Sequence, residues 1–537
     1  MCGILAILKA SSVTAPLAPL APLAPLAPLA PLAPLARRGP DSSNFFEDDD
    51  IYLGHTRLAL VNPGATDQPI CYEDWRGVMN GEIYNSPSPK PNETDCHHLV
   101  TSIAKNGPSA LSNIDGVFSF IMYQKSTKRI IMGRDAIGVT PMYYSDQVVS
   151  SLLTCITTGD AKCVPHGSYA DFIIGSEVVW HKWTQPYGFT SPSTDSLYLT
   201  LRTAVSKRLM GDVPWGLLLS GGLDSSIVAS IVVDIAAKTR PDYPTVHSFC
   251  IGLANSPDVV QAKRLAKDLC TVHHSVEYTV EEGLAALKEV IRTVETYDVT
   301  TIRASTPMWL LGNFVKKSGI KMVLSGEGAD ELFAGYLYNR YCPNEDEMEA
   351  ECQRKMDQLY AYDCLRASKS MGDWGVETRV PFLDNNVVDY AMNGLSPRCK
   401  LSGTHPDGPK AEKWFLRQAF EGKLPDYILH RTKAQFSDAV GSEWIDALQA
   451  HAAKRVTDEM LAGAAKRWPY QSPDTKEAYL YREFFSDIFE HVEGAEKTVI
   501  YQPSIACSTG QASEWHASFK KCLDPSGDAI HRVFMGE

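Results

Sequence analysis

From about residue 196 the chain alternates apolar strand-like runs with helix-patterned stretches, and that alternation leaves few folds open. Val213–Leu219 reads as a buried strand, Ser225–Lys238 as a helix and Thr245–Ile251 as a strand. Pro257–Cys270 reads as a helix with Val259, Ala262, Leu265, Ala266 and Leu269 on one face. His274–Tyr278 reads as a strand, Glu281–Glu295 and Thr306–Ser318 as helices, and Lys321–Leu324 as a strand. Such alternation predicts an α/β doubly wound parallel sheet with helices on both faces. Ligands then belong at the carboxyl ends of the strands. Residues 346–500 read as mainly helical, so this domain is assigned to 196–500, with 501–537 a frayed tail containing Ser, Gly and Pro.

The preceding residues follow another pattern. Ile51–Leu60, Gly77–Tyr84, Gly116–Tyr123, Arg129–Gly133 and Val148–Leu153 are rich in β-branched and aromatic residues, and Thr94–Lys105 is the one helix-like stretch among them. They predict a layered, strand-rich α+β domain over residues 1–170, with 156–195 holding its tail and a connector. Within it, residues 15–35 are seven tandem Ala-Pro-Leu triplets. Proline at every third position removes amide donors and clashes with an α-helix. The run therefore predicts extended polyproline II or disorder, a low-complexity insertion. A ligand arm for a proline-recognising partner is the functional alternative.

Acidic residues outnumber basic ones 64 to 51, for a formal charge of −13, which disfavours nucleic acid as a partner. No stretch approaches 18 uninterrupted apolar residues, so no membrane span is expected. The first residues lack the basic start and cleavage site of a signal peptide. Thirteen scattered cysteines without a C-x-x-C pair predict a reducing compartment, taken as the cytosol, without a disulfide framework.

Two motifs carry chemistry in the alternating half. Ser220-Gly221-Gly222-Leu223-Asp224-Ser225-Ser226 follows a strand and opens a helix. Its glycines admit an anion close to the backbone, and helix-start amides offer donors to phosphate. Asp224 beside phosphate implies a bridging Mg²⁺. The motif is not a P-loop, because G-x-x-x-x-G-K-[ST] is absent. The second motif, Ser325-Gly326-Glu327-Gly328-Ala329-Asp330-Glu331, also follows a strand, so Asp224 and Asp330 could meet on one metal ion.

The N-terminal half offers a nucleophile. Removal of Met1 would place the Cys2 thiol beside a free α-amine, which titrates near 7.7–8 and can act as its base. Asn80 and Gly81, in Asn80-Gly81-Glu82-Ile83-Tyr84-Asn85, can supply an oxyanion hole. Arg57 can hold an α-carboxylate in a bidentate fork, and Asp95 can pair with an α-ammonium. Together they describe a pocket for glutamine.

These motifs resemble those of the pyrophosphate-loop ATP pyrophosphatases and, over residues 1 to about 530, those of glutamine-hydrolysing asparagine synthetases, B-type class II glutamine amidotransferases. Glu295–Ser305, Arg379-Val380-Pro381-Phe382-Leu383-Asp384 and Arg431–Asp438 match further family segments. The resemblance implies an N-terminal-nucleophile αββα sandwich joined to the synthetase domain. It implies ATP as co-substrate with Mg²⁺, a β-aspartyl-AMP intermediate, ammonia carried between two sites, and compatibility with a homodimer. By the same resemblance Leu58, Val61 and Glu82 complete the glutamine pocket. Leu218, Leu219, Ser220, Gly221, Gly222, Asp224, Ser225, Ile251, Ser325, Gly326 and Lys433 hold ATP, with Lys433 reaching pyrophosphate. Glu327 assists adenylation and ammonia attack, and Asp298 and Arg303 handle aspartate.

Departures concentrate in the N-terminal half. The proline run stands where the family has a helix, and the family's His-Arg-Gly-Pro-Asp is Arg37-Arg38-Gly39-Pro40-Asp41. The stretch from Asn85 to Asp95 is short, and the Ser-Glu-x-x-Ala segment expected after Val149 is not recognisable. A loosely anchored Cys2 strand, and hence weak glutamine use, is the expectation. Rival readings are a synthetase running on free ammonia, a β-lactam-synthetase-like cyclase, which Cys2 and the 295–305 segment disfavour, and a non-catalytic interaction module.

Overall fold

In the computed structural model the chain opens with a strand, β1 (Gly3–Leu8), that lies at the centre of a sheet. The structure describes residues 1–9, 29–87, 92–183, 192–239, 246–254, 256–401, 411–432, 441–501, 509–517 and 519. The remaining strands of the N-terminal half are β2 (Ser42–Glu47), β3 (Ile51–Arg57), β4 (Ile70–Tyr72), β5 (Trp75–Ile83), β6 (Gly116–Gln124), β7 (Arg129–Arg134), β8 (Tyr143–Tyr144), β9 (Val148–Ser150), β10 (Lys162–Cys163), β11 (Ser168–Ile173) and β12 (Trp180–Lys182). They form two six-stranded sheets, ordered β10-β8-β9-β1-β3-β2 and β12-β11-β7-β6-β5-β4. Successive side chains of a strand alternate faces. Ile4 and Ala6 accordingly point between the sheets, where they meet Val78, Ile121 and Met132, while Leu5 faces outward. The helix α1 (Cys96–Asn106) covers the outer face of the second sheet through Leu99, Val100 and Ile103. Strands β11 and β12 carry the sandwich past residue 170, to Lys182, because apolar residues such as Ala170 and Phe172 complete its core.

The end of the proline run corrects the extended or disordered expectation. Ala30–Leu35 is a 3-10 helix, with Leu32 and Leu35 buried. A 3-10 helix has three residues per turn, so side chains at i and i+3 eclipse. A triplet repeat therefore stacks its leucines on one face, and that face lies on the first sheet beside Gly3 and Gly54. Earlier triplets, up to residue 28, lie outside the described residues. The loosely anchored Cys2 strand is also corrected. β1 pairs with β3 along its length and with β9 on its other edge, and Arg38 donates to the Cys2 carbonyl at 3.3 Å. Between residues 85 and 95 the described residues contain no helix. After Val149, the amides of Leu153 and Thr154 donate to Glu295 of the other half, at 2.8 and 3.0 Å.

The second half begins with α2 (Thr194–Arg208), whose Ser193 forms a reciprocal cap with Ser196. A five-stranded, wholly parallel sheet follows: β13 (Trp215–Leu218), β14 (His247–Gly252), β15 (Val272–Glu277), β16 (Met322–Leu324) and β17 (Glu377–Arg379), ordered β15-β14-β13-β16-β17. α3 (Leu223–Thr239) and α4 (Pro257–Asp268) join the core on one face; α5 (Val280–Val294) and α6 (Val299–Lys317) join that on the other. α6 begins seven residues before the sequence-predicted start because Asp298 caps it, accepting from the Thr301 amide at 2.8 Å. Strand β17 was not legible as a strand, because Glu377-Thr378-Arg379 offers no apolar run. Residues beyond 501 are not simply frayed, since Ala512 and Phe519 are buried against Tyr336, Leu337 and Tyr338. The described cysteines are free thiols. No helix among the described residues is long and apolar enough to cross a membrane.

The buried leucine face of the 3-10 helix sets a test. Leu35→Ala is expected to cost about 2–4 kcal/mol, seen as a lowered thermal transition. Leu29→Ala, at 43% exposure, should stay within about 0.5 kcal/mol.

Candidate active sites

The strand order β15-β14-β13-β16-β17 reverses direction between β13 and β16, and the crevice beyond their carboxyl ends is the place such a sheet offers a ligand. Both acidic motifs open there. Ser220 and Ser225 tie the first loop together through their hydroxyls, 3.1 Å apart, and the Gly222 amide donates to Ser220 Oγ at 3.2 Å. The second loop presses against the first so closely that a Cβ on Gly326 would lie 2.8 Å from Asp224 Cβ and from the Ser225 nitrogen. Only glycine permits that approach.

The two carboxylates share a cation from the chain itself. Lys413 Nζ lies 2.7 and 2.6 Å from the Asp224 oxygens and 2.6 Å from Asp330 Oδ1. Its side chain is 2% exposed, and Gly335 makes room for it: a Cβ there would fall 2.1 Å from Lys413 Cε. Sequence reasoning missed Lys413, because nothing in Ala411-Glu412-Lys413-Trp414 marks it and it lies 83 positions beyond Asp330. Glu327 accepts from Arg366 at 2.7 Å, and Arg366 also pairs with Asp363. Burial opposes the charge of Arg366, but the two carboxylates outweigh it and hold the guanidinium protonated. Glu331 is pushed up to about 7 by burial, with Asp363 and Asp330 adding to the effect.

One pocket collects Leu218, Leu219, Ser220, Gly222, Asp224, Ser225, Ile251, Ser325, Gly326, Glu327 and Asp330 of the sequence-predicted set, together with Asp363, Arg366 and Lys413. Gly221 does not line it; its left-handed backbone packs against α4. Lys433 lies outside the described residues. Asp298 and Arg303, expected to handle aspartate, do not line this pocket. Asp298 is spent capping α6, and Arg303 is buried in a bidentate pair with Glu477, at 2.9 and 2.7 Å. Thr300, Ala304, Met308 and Leu311 of α6 face the pocket.

The sandwich holds the second site. Leu58 N–H donates to Cys2 Sγ at 3.4 Å. With Met1 present, burial pushes the thiol up to about 11, partly opposed by the chain's amino group. That amine pairs with buried Glu377 at 3.2 Å. Asn80 is fully buried with neither side-chain amide atom hydrogen-bonded, which suits a group reserved for a ligand. Asp95, buried and donated to by Ile83 N–H at 2.8 Å, is raised to about 6 by burial. Arg57 is drawn into organising the neighbouring loop. Its guanidinium donates to the carbonyls of Asn62 and Ala65, both at 2.8 Å, and of Val61 at 3.4 Å, and it pairs with Asp67. Glu82 meets Arg379 of the other half at 3.1 Å.

A two-sheet sandwich that opens on Met1-Cys2, fused to a parallel sheet with two glycine-flanked acidic loops, defines a two-site amidotransferase–ligase architecture. Residues 1–157 match the glutamine amidotransferase domain family, and 196–345 and 340–517 match the asparagine synthase family. An asparagine synthetase [glutamine-hydrolyzing] of Asparagus officinalis is 43% identical, covering 98% of this chain and 92% of that protein. Asparagine synthetase [glutamine-hydrolyzing] 1 of Arabidopsis thaliana is 42% identical, covering 100% and 94%. A solved glutamine phosphoribosylpyrophosphate amidotransferase from B. subtilis aligns at 12% identity and a TM-score of 0.28, covering 51% of this chain and 81% of that one, a likeness too low to carry an argument. The chain belongs to the glutamine-hydrolysing asparagine synthetase family.

Lys413→Met is expected to lower AMP formation, because Asp224 and Asp330 lose the cation that holds them together in the pocket, and to cost up to about 3–5 kcal/mol of stability, seen as a lowered thermal transition. Glutamate release from glutamine by the same variant should persist, which a parallel assay of both products checks.

Proposed function

We propose that this chain makes asparagine from aspartate, spending ATP and taking nitrogen from glutamine. The observation that carries the reading is the meeting of Asp224, Glu327, Asp330 and Lys413 in one pocket at the sheet's switch point, in a chain whose first strand presents Cys2.

In the first half-reaction, Cys2 attacks the side-chain amide of glutamine, ammonia leaves, and water hydrolyses the γ-glutamyl thioester. Asn80 and Gly81 would stabilise the oxyanion. Arg57 and Asp95 would hold the substrate's α-carboxylate and α-ammonium, with Leu58, Val61 and Glu82 closing the pocket. A thiol at about 11 is protonated at neutral pH and needs a base. Removal of Met1 would give it the α-amine. In the second half-reaction, the β-carboxylate of aspartate attacks the α-phosphorus of ATP, pyrophosphate leaves, and ammonia displaces AMP from the β-aspartyl-AMP. The Ser220–Ser225 loop would cradle the phosphates, Lys413 and Lys433 would meet pyrophosphate, and Arg366 would orient Glu327. In bulk water most ammonia is ammonium and not nucleophilic, which favours delivery within the chain.

Asp224 and Asp330 suit Mg²⁺, since both already face one cationic atom at hydrogen-bonding distance. Among the described residues no group of three or more His, Cys, Asp or Glu could hold a metal alone, so phosphate oxygens would complete the set. The ion would neutralise phosphate charge when bound. A cytosolic setting fits the reading.

The ammonia-only alternative rested on a loose Cys2 strand, and the central placement of β1 favours glutamine use. Product analysis with glutamine or ammonium as the only nitrogen source tests this. Cys2→Ala should abolish glutamine-dependent synthesis and leave ammonia-dependent synthesis intact. Asp224→Asn and Asp330→Asn should each abolish AMP release while glutamine hydrolysis remains. Loss of both activities in Cys2→Ala, or near-normal AMP release in either aspartate variant, would contradict the assignment.

The raised pKa of Asp95 adds a pH signature. Its carboxyl loses charge as pH falls through about 6, and with it the partner of the substrate's ammonium. The KM for glutamine is expected to rise below pH 6 by more than the KM for ammonia-dependent aspartate use, when both are followed from pH 5 to 8.

A further inference from the structure

We propose that Asp212, at the entrance to the synthetase half, is a positioning residue for glutamine: it clamps the loop at residues 60–62 that Arg57 organises from the other side. The proposal rests on the reading of the sandwich as a glutaminase. Asp212 makes two reciprocal contacts with this loop. Its amide donates to the Leu60 carbonyl at 2.9 Å, and its Oδ2 accepts from the Asn62 amide at 2.7 Å. Asn62 sits at φ 44°, a left-handed conformation that asparagine tolerates better than most residues, and it marks the loop apex. Asn62 is held on three sides: the Asp212 carboxylate at its amide, Arg57 at its carbonyl, and the Glu93 carbonyl at its side-chain amide, 3.1 Å away.

Asp212 is itself held on a rigid post. It follows α2, whose last turn is fixed by Lys207 to Asp115 and by Arg208 to Asp384, both at 2.7 Å. The carbonyls of Arg208 and Met210 accept from Arg379 at the end of β17. The Arg379 carbonyl in turn accepts from the Ser325 amide at 2.9 Å, the first residue of the second acidic loop. Hydrogen bonds from the nucleotide pocket to Met210, the backbone of residues 210–212 and the two Asp212 contacts therefore connect that pocket to the glutamine loop. Arg57 lies on the glutaminase strand β3, whereas Asp212 belongs to the other half. The shape of the glutamine pocket thus depends on a residue that touches no part of the sandwich's own core.

Asp212→Ala and Asp212→Asn in the full chain test this, with glutamate release measured against glutamine concentration and asparagine formation measured with ammonium as the nitrogen source. Asp212→Ala is expected to raise the KM for glutamine about three- to tenfold, the range of a single hydrogen bond of ordinary net strength. Its kcat at saturating glutamine and its ammonia-dependent synthesis should stay within about twofold of wild type. Asp212→Asn keeps an acceptor oxygen and should recover part of the KM. An unchanged KM in Asp212→Ala overturns the clamp. A parallel fall in glutamine- and ammonia-dependent synthesis overturns it too, because that marks general damage to the fold. A wild-type chain that releases no glutamate from glutamine would instead overturn the glutaminase reading, and the proposal with it.

Discussion

One buried guanidinium binds the two halves of this protein together. Arg379 stands at the end of a three-residue strand, is 1% exposed, and pairs with Glu377 at 2.7 Å and with Glu82 at 3.1 Å. Burial works against its charge, but the two carboxylates outweigh that cost and keep it protonated. The arrangement constrains both sites at once. Glu82 follows Gly81 in the glutaminase strand, Glu377 receives the chain's amino group, and the Arg379 carbonyl fixes the start of the second acidic loop. Removing either kind of partner would leave an uncompensated charge in the interior, which is far more costly than losing a surface pair.

A second charged contact between the halves repeats the principle. Lys369 pairs with Glu295 and donates to the Tyr143 hydroxyl at 2.6 Å, while Glu295 also accepts from the amides of Leu153 and Thr154. Burial lowers Lys369 to about 8 against the pull of Glu295. The segment after Val149, which lacks a recognisable family motif, thus obtains its carboxylate from the other half. The two domains are joined by buried polar networks rather than by apolar contact alone, which fixes one relative orientation of their sites.

The proline-rich run shows how a physical rule can be right and its application incomplete. Proline every third residue does exclude an α-helix. It does not exclude a 3-10 helix, whose period equals the repeat and whose hydrogen bonds tolerate the missing donors at Pro31 and Pro34. Leu32 and Leu35 then supply the apolar face that the first sheet needs. The repeat is legible as sequence; that its last two triplets cover a sheet is legible only when the sheet is present.

The alternation of strands and helices and the two glycine-flanked acidic motifs were readable from the chain, because each depends on local periodicity or on residues close in sequence; the Cys2, Arg57, Asn80 and Asp95 set came from the chemistry of the residue types alone. Tertiary structure decided the rest. Lys413 reaches Asp224 across 189 positions, Arg366 reaches Glu327 across 39, and the polar Glu377-Thr378-Arg379 becomes a strand only by pairing with β16. Arg303 reaches Glu477 across 174 positions, a pairing that no local pattern announces. Local pattern determines which groups a segment can offer; only packing determines which of them share a pocket, since contact across a fold depends on direction and distance that sequence spacing does not encode.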